Sequence, residues 1–278
     1  MQTTICKPIE IAGIGLHSGN PCTVTIQPAP VDNGRAFWIG NKRIQAHYSS
    51  VINSSYCTVL GNGSAQVATV EHLLSAAMGM GIDNLNILVN GDEVPILDGS
   101  SKPWVIAFKK VGIQQQNKIK NTVAPQIAQQ HMQGEQRIEI IPFSRLRIAV
   151  AFKNKFNSGE EKRGQWDINS QNYCKELAWA RTFGAKEDLP QLLQMNKAKG
   201  AGLNNCLVFE KGSLHPSQTL RGKNECLRHK ALDLLGDLAL LDCPLHAWVK
   251  TNQPGHRLTN AALASWNLKP LDSKDKFR

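Results

Sequence analysis

The run Arg228-His-Lys-Ala-Leu-Asp-Leu-Leu-Gly-Asp237 constrains this chain more than any other segment. Ala231, Leu232, Leu234, Leu235, Leu238, Leu240 and Leu241 recur at helical spacing and call for burial. His229, Asp233 and Asp237, at four-residue steps, put an imidazole and two carboxylates on one face of the same helix. Carboxylates on so apolar a helix are costly to bury unpaired, so they need a partner, and a metal would be one. A His and an Asp at i and i+4 can hold one divalent ion from a single turn. An ion held by few protein ligands keeps a position open for water. The feature points to hydrolysis, although spacing alone leaves Asp237 open as a further ligand and an ordinary solvated face open as the alternative.

A mononuclear catalytic zinc takes three protein ligands plus water, so one ligand must come from elsewhere in the chain. Of the eight histidines, His72 is the best candidate. Glu71 adjoins it at the start of a helical stripe (Val70, Leu73, Leu74, Ala77) for which Thr69 reads as the N-cap. One side chain of that pair can bind metal while its neighbour reaches the activated water. His47, His131, His215 and His246 have no such companion and read as surface or core histidines.

With 278 residues, 41% hydrophobic and 19% charged, the chain reads as a folded protein of one large or two moderate domains. No apolar run approaches the roughly 20 residues of a membrane span, and the first residues do not read as a secretory leader. Seven scattered cysteines without a Cys-x-x-Cys pair suit free thiols in a reducing compartment, so the expected location is the cytoplasm. The formal charge of +10 suits an anionic partner: nucleic acid, a diphosphate-bearing substrate or a membrane surface. The basic residues lack the spacing of a nucleic-acid module, so no nucleic-acid partner is expected.

Short alternating segments at Thr3 to Ala12, Thr23 to Gln27, Ala36 to Ile39 and Arg43 to Tyr48 read as strands, followed by the Thr69 helix, a strand at Asn84 to Val89 and a helix near Pro103 to Lys110. Strands resume at Arg137 to Pro142 and Leu146 to Phe152, then a polar stretch runs through Asn169. Helices near Asn172 to Ala180 and Leu189 to Lys199, a strand at Cys206 to Phe209, the long helix from Asn224 to Leu241, a strand near His246 to Lys250 and a last helix complete the chain. The fold class is α+β, with two similar domains and no residue-level repeat. The boundaries expected are 1–115 for the first domain, 116–136 for a Gln/Asn/Lys-rich linker or polar hairpin, 137–270 for the second domain and 271–278 for a polar tail.

Seven motifs occur in one order: Gly13-Ile-Gly-Leu-His-Ser-Gly19, Thr69-Val-Glu-His-Leu-Leu74, Gly81-Ile-Asp-Asn84, Glu93-Val-Pro-Ile-Leu-Asp-Gly-Ser100, Ala180-Arg-Thr-Phe-Gly184, Arg228 to Leu238 and Gly255-His256. As a set they resemble the UDP-3-O-acyl-N-acetylglucosamine deacetylases, zinc amidases that commit material to lipid A synthesis, from about Ile5 to Leu263. The resemblance implies that His72, His229 and Asp233 bind Zn²⁺ and that Glu71 is the general base. It further implies that His256 is the general acid or electrostatic stabiliser, kept charged by Asp237, and that Thr182 and Lys230 line the site. Phe152, Phe183 and Lys230 would contact an acylated UDP-sugar. The implied fold places two helices of each domain in a central layer between the sheets. An insert near 184–202 would form the acyl passage, with Leu189, Leu192, Leu193 and Met195 available to line it. The enzyme would act as a monomer in transient contact with an anionic membrane surface, and Fe²⁺ could take the same ligands.

Asn224, Gly222, Thr259, Ala185 and Lys153 to Asn157 depart from residues common in the family, bearing on substrate fit and not on the reaction type. A rival function on the same fold is a non-catalytic protein that binds acylated nucleotide sugars. The open metal position with a base and an acid beside it argues against a pure binder.

Overall fold

Strand pairing repeats where residue identity does not. In the computed structural model, which describes residues 1–156 and 159–271, the first half forms a five-stranded sheet in the spatial order Ile9–Ile14, Pro21–Pro28, Leu85–Asn90, Arg35–Ile39, Lys42–Gln45. The second half forms one in the order Gln129–Gln133, Gln136–Pro142, Ala247–Asn252, Leu146–Lys153, Glu161–Asp167. In each sheet the third and fourth strands are parallel and all other neighbours antiparallel. Each half adds a two-stranded ribbon and a small three-stranded sheet.

The helices are α1 (Glu71–Gly79), α2 (Lys102–Val111), α3 (Ser170–Glu176), α4 (Leu189–Gln194), α5 (Glu225–Leu238) and α6 (His256–Ser265). One continuous core holds Val24, Ile26 and Phe37 of the first sheet, Ile140, Ile148 and Val249 of the second, and Leu73, Leu74, Leu234 and Leu235 of α1 and α5. The helices therefore lie between the sheets, and both faces of α5 are buried, as its leucines require. Helix α1 crosses α5 at Gly236, where a Cβ would stand 2.2 Å from the Glu71 carbonyl oxygen. Only a glycine allows the two backbones to approach this closely. Among the described residues, no helix is long and apolar enough to cross a membrane.

Several elements differ from the sequence expectation. Thr3 to Ala12 breaks into Thr3–Ile5 and Ile9–Ile14, with Pro8 between them lacking an N–H for the ladder. Residues 116–136, expected as a linker or a polar edge hairpin, contain Val123–Pro125, paired with Leu268–Pro270, and Gln129–Gln133, which forms a hairpin with Gln136–Pro142 at the edge of the second sheet. Their polarity is that of an edge. The polar stretch before Asn169 likewise contains the opposite edge strand, Glu161–Asp167, whose charged residues protect an unpaired rim. Helix α4 stops at Gln194, short of Lys199, because Asn196 (φ 55°) and Ala198 (φ 57°) are left-handed. The polar tail expected at 271–278 lies, beyond Leu271, outside the described residues.

Candidate metal and catalytic site

Two of the three helices that carry site residues, α1 and α5, are entered through a left-handed residue. Thr69 has φ 57° and does not cap α1; the N-cap is Val70, and the Thr69 hydroxyl donates to Glu93 Oε1 at 2.8 Å. A β-branched residue in that conformation is strained, and such strain concentrates where the fold over-determines a site. Glu93, itself buried, also accepts from the backbone N–H groups of His17 and Ser18 at 2.9 and 2.8 Å. Burial opposes the Glu93 charge, yet those N–H donors hold its carboxyl below the usual range. On the other side Asn224 (φ 56°) leads into α5, in a conformation asparagine tolerates better than most side chains.

The first turn of α1 delivers Glu71 and His72, α5 delivers His229, Asp233 and Asp237, and the first residue of α6 is His256. All six are buried or nearly so. Asp233 Oδ1 lies 3.3 Å from His229 Nε2 and 3.6 Å from His72 Nε2, and one donor atom from each of the three falls within 4.8 Å of the others. Donors on a tetrahedron with zinc arms of ~2.1 Å stand about 3.4 Å apart, close to both measured separations.

Hydrogen bonding supplies an independent test of fit. His229 Nδ1 lies 3.0 Å from the Ala180 carbonyl oxygen, which can only accept, so Nδ1 carries the proton. Burial pushes the His229 imidazole down to about 3, despite the pull of Asp233, leaving it neutral. Its Nε2 lone pair therefore faces a carboxylate oxygen, two acceptors with no proton between them. Burial works against the Asp233 charge too, but His229 and Lys230 keep that carboxyl well below its ordinary range. A divalent cation between these atoms resolves the conflict, and the carbonyl behind His229 is the kind of outer partner that orients a metal-binding imidazole. The residues fit the metal.

Beside this donor set is a second charged group. His256 Nδ1 is 2.8 Å from Asp237 Oδ2, and its Nε2 is 3.7 Å from Glu71 Oε1. Burial disfavours an imidazolium here, but Asp237 and then Glu71 outweigh it and raise His256 to about 10. Asp237 does not join the metal donors; its other oxygen accepts from Thr58 Oγ1 at 2.6 Å. Glu71 accepts from the Thr58 backbone N–H at 3.1 Å, and burial raises its pKa despite the opposing field of His256. Lys230 Nζ donates to Asp233 Oδ2 at 2.8 Å, on the oxygen turned away from the histidines. Burial disfavours the lysine's charge, and Asp233 more than compensates.

The expected substrate contacts divide. Thr182 and Phe183 line an apolar cavity of about 430 Å³ together with Leu16, Tyr56, Leu189 and Leu192. Phe183 has its ring 6.0 Å from that of His229 and 5.5 Å from Lys230 Nζ, which ties the cavity to the donor cluster. Phe152 is 5.7 Å from Phe183, ring to ring, yet borders a separate hollow of about 270 Å³ with Asn154, Phe209 and Asn224. Leu193 and Met195 are not cavity walls; they are 45% and 40% exposed. Of the departures from the family pattern, Gly222 is explained by Trp179, whose ring would lie 2.5 Å from a Cβ there, and Ala185 is a cavity wall.

Three positioning features escaped the sequence reading. Arg181 pairs with buried Glu225 (Nε to Oε1, 2.8 Å), fixing the Ala180 to Phe183 segment against the start of α5. Thr58 bridges Glu71 and Asp237. His17 is buried, with an unpartnered Nε2, and burial lowers it to about 4 against the pull of Glu93, with Lys197 and His256 adding to the effect. The one sequence signal for His17 was its place in the Gly13 to Gly19 motif.

A duplicated α+β protein, with metal donors and an imidazolium–carboxylate pair assembled where its halves meet, is the class that fold and site define. The UDP-3-O-acyl N-acetylglycosamine deacetylase family matches residues 2–266, and the chain belongs to that family. A UDP-3-O-acyl-N-acetylglucosamine deacetylase of Solibacter usitatus is 38% identical, covering 95% of this chain and 90% of its own. Those of Campylobacter curvus (35% identical, 95% and 92% covered) and Teredinibacter turnerae (33%, 99% and 95%) are similar along nearly their full length.

Proposed function

We propose that this protein is a zinc-dependent deacetylase that hydrolyses the N-acetyl group of UDP-3-O-acyl-N-acetylglucosamine and releases acetate, the committed step of lipid A biosynthesis. The observation that carries the mechanism is the pairing of a buried, charged His256 with a buried Glu71 beside the three-donor cluster. A carboxylate whose affinity for a proton is raised by burial and an imidazolium kept charged by a neighbouring carboxylate are the base and the acid that amide hydrolysis requires.

His72, His229 and Asp233 would hold the metal. When bound, zinc supplies Lewis acidity that brings the pKa of water down to about 7. Glu71 then takes a proton from the attacking water, a transfer its burial-raised pKa favours. His256, charged between Asp237 and Glu71, stabilises the oxyanion that develops on the acetyl oxygen, with the Thr182 hydroxyl as a second donor, and supplies the proton the leaving amine needs. Asp237 keeps that imidazole charged and oriented. Lys230 holds Asp233 and borders the substrate, while Phe183, and Phe152 beside it, offer ring faces to the acylated sugar nucleotide. The apolar cavity suits the 3-O-acyl chain, since its walls are Leu, Ala, Tyr and Phe for most of their area.

With this reading goes a monomeric, cytoplasmic enzyme that meets an anionic membrane surface transiently. Seven free cysteines and the net charge of +10 support those assignments. The deciding experiment couples metal analysis to acetate release. Stripping the metal should abolish turnover and zinc should restore it; Glu71→Gln should keep the metal and lose most activity. A fully active Glu71→Gln enzyme would remove Glu71 from the role of base.

A further inference from the structure

The two small sheets, one from each half, come together around the mouth of the apolar cavity. Tyr56, between the first two strands of the sheet Val51–Asn53, Val59–Gly61, Gln66–Val67, is both a cavity wall and 47% exposed. Leu189 and Leu203 come from the sheet Phe183–Ala185, Leu207–Glu210, Ser213–Leu214, within its first long connection. They too are walls, and are 36% and 44% exposed. Side chains that belong at once to the cavity and to the surface define its rim.

The same connections carry further exposed apolar residues. Ile52 is 56% exposed, and Leu193 and Met195 extend the patch from α4, with the Tyr56 hydroxyl 3.4 Å from Met195 Sδ. Six of the fifteen large apolar side chains exposed among the described residues thus come from these two connections, which makes the patch one feature and not scattered surface. The first connection, 51–67, has no charged residue. The second, 183–214, has four lysines (Lys186, Lys197, Lys199, Lys211) against three acids. An apolar tip flanked by lysines is the composition of a surface that dips into a bilayer while its amines meet headgroups.

We propose that this rim docks the enzyme on a phospholipid bilayer containing anionic lipid, so that the cavity opens toward the membrane. The inference rests on the reading of the cavity as the acyl passage, and it adds which face of the molecule meets the membrane and how the passage is turned toward it. A long acyl chain moving between a bilayer and this cavity would cross little water, which removes the cost of exposing it. The net charge of +10 adds attraction that is felt before contact.

The test uses the full chain, loaded with zinc, and flotation with vesicles of phosphatidylcholine alone or mixed with one quarter phosphatidylglycerol. Binding is expected to the mixed vesicles and to weaken at high salt without vanishing. Leu193→Asp with Met195→Asp, two residues outside the cavity walls, should cut partitioning about tenfold or more. Lys199→Glu should weaken binding to the mixed vesicles only. Wild-type protein that stays with neither vesicle, or a double variant that floats as well as wild type, overturns the proposal. A wild-type dimer that the double variant converts to monomer in light scattering also overturns it, by showing that the patch covers itself. Acetate release from a water-soluble, short-acyl substrate is measured in parallel. Its absence in wild type would defeat the deacetylase reading, whereas its retention in a variant that no longer floats separates docking from catalysis.

Discussion

The two halves share strand order, parallel pair and helix pair, yet they contribute to the site in opposite ways. The first half supplies Glu71 and His72 from a single turn at the start of α1, behind a strained Thr69 held by Glu93. The second supplies His229, Asp233 and Asp237 along three turns of α5 and His256 from the tip of α6. The outer faces of the sheets diverge as well. On the first, the outward strand residues include uncharged Thr23, Thr25, Gln27 and Asn86 beside Trp38 and Leu88. The second carries Arg137, Arg147, Arg163 and Lys250 with Glu139, Glu161 and Asp167. The halves thus share the architecture that buries two helices between sheets. They do not share any one residue's task, because a site between halves needs different chemistry from each side.

The strongest way to break this division of labour is to remove the first half's proposed base. Glu71→Gln should lower kcat by roughly two to four orders of magnitude with metal content unchanged, read by acetate release and metal analysis. Next comes the contact that seats one half on the other. Gly236→Ala puts a methyl group against the Glu71 carbonyl, so it should cost about 1–3 kcal/mol in denaturant unfolding and reduce activity too, since the first turn of α1 must move. A variant as stable and active as wild type would show that the helices need not approach so closely.

Asp237→Asn sharpens the second half's share. His256 has a folded pKa raised above its ordinary value, so its charge is complete at neutral pH and is lost as pH rises through about 10. Removing the Asp237 carboxylate lowers that pKa, and the alkaline limb of the pH–rate profile should move to lower pH. An unmoved limb would assign that limb to another group. Thr58→Val removes the hydroxyl that links the halves and should cost about 1–3 kcal/mol in stability, with a smaller loss in turnover. Smallest of all, Arg163→Ala on the outer face should leave the unfolding midpoint and kcat within error, although its guanidinium pairs with Glu161, because exposed ion pairs contribute little.

The α5 face was the most legible part of this chain, because a helix with leucines all round has one sensible environment and its carboxylates must find partners there. Spacing alone still made Asp237 a candidate ligand. The bond to His256 takes it out of the donor set, and that bond depends on a helix that begins nineteen residues later. Thr69 had the right residue type and position for an N-cap, but Glu93 captured its hydroxyl, and Glu93 arrives from a loop twenty-four residues away. The edge strand Glu161–Asp167 was hidden by its own polarity, since an edge has no buried face to set an apolar rhythm, and the same polarity left Gln129–Gln133 legible only as a linker or a polar edge hairpin.

By itself the sequence determined the class of fold, the buried helix, the candidate donors and, through an ordered set of motifs, the family. Those depend on local periodicity and residue chemistry, which are written along the chain. Tertiary structure decided which histidine is charged, which carboxylate joins the three-donor cluster and which pairs with His256, and that Leu193 and Met195 face outward while Leu189 lines the cavity. Those outcomes depend on distances of a few ångströms between elements remote in sequence, and on the loss of water around them, neither of which any single segment encodes.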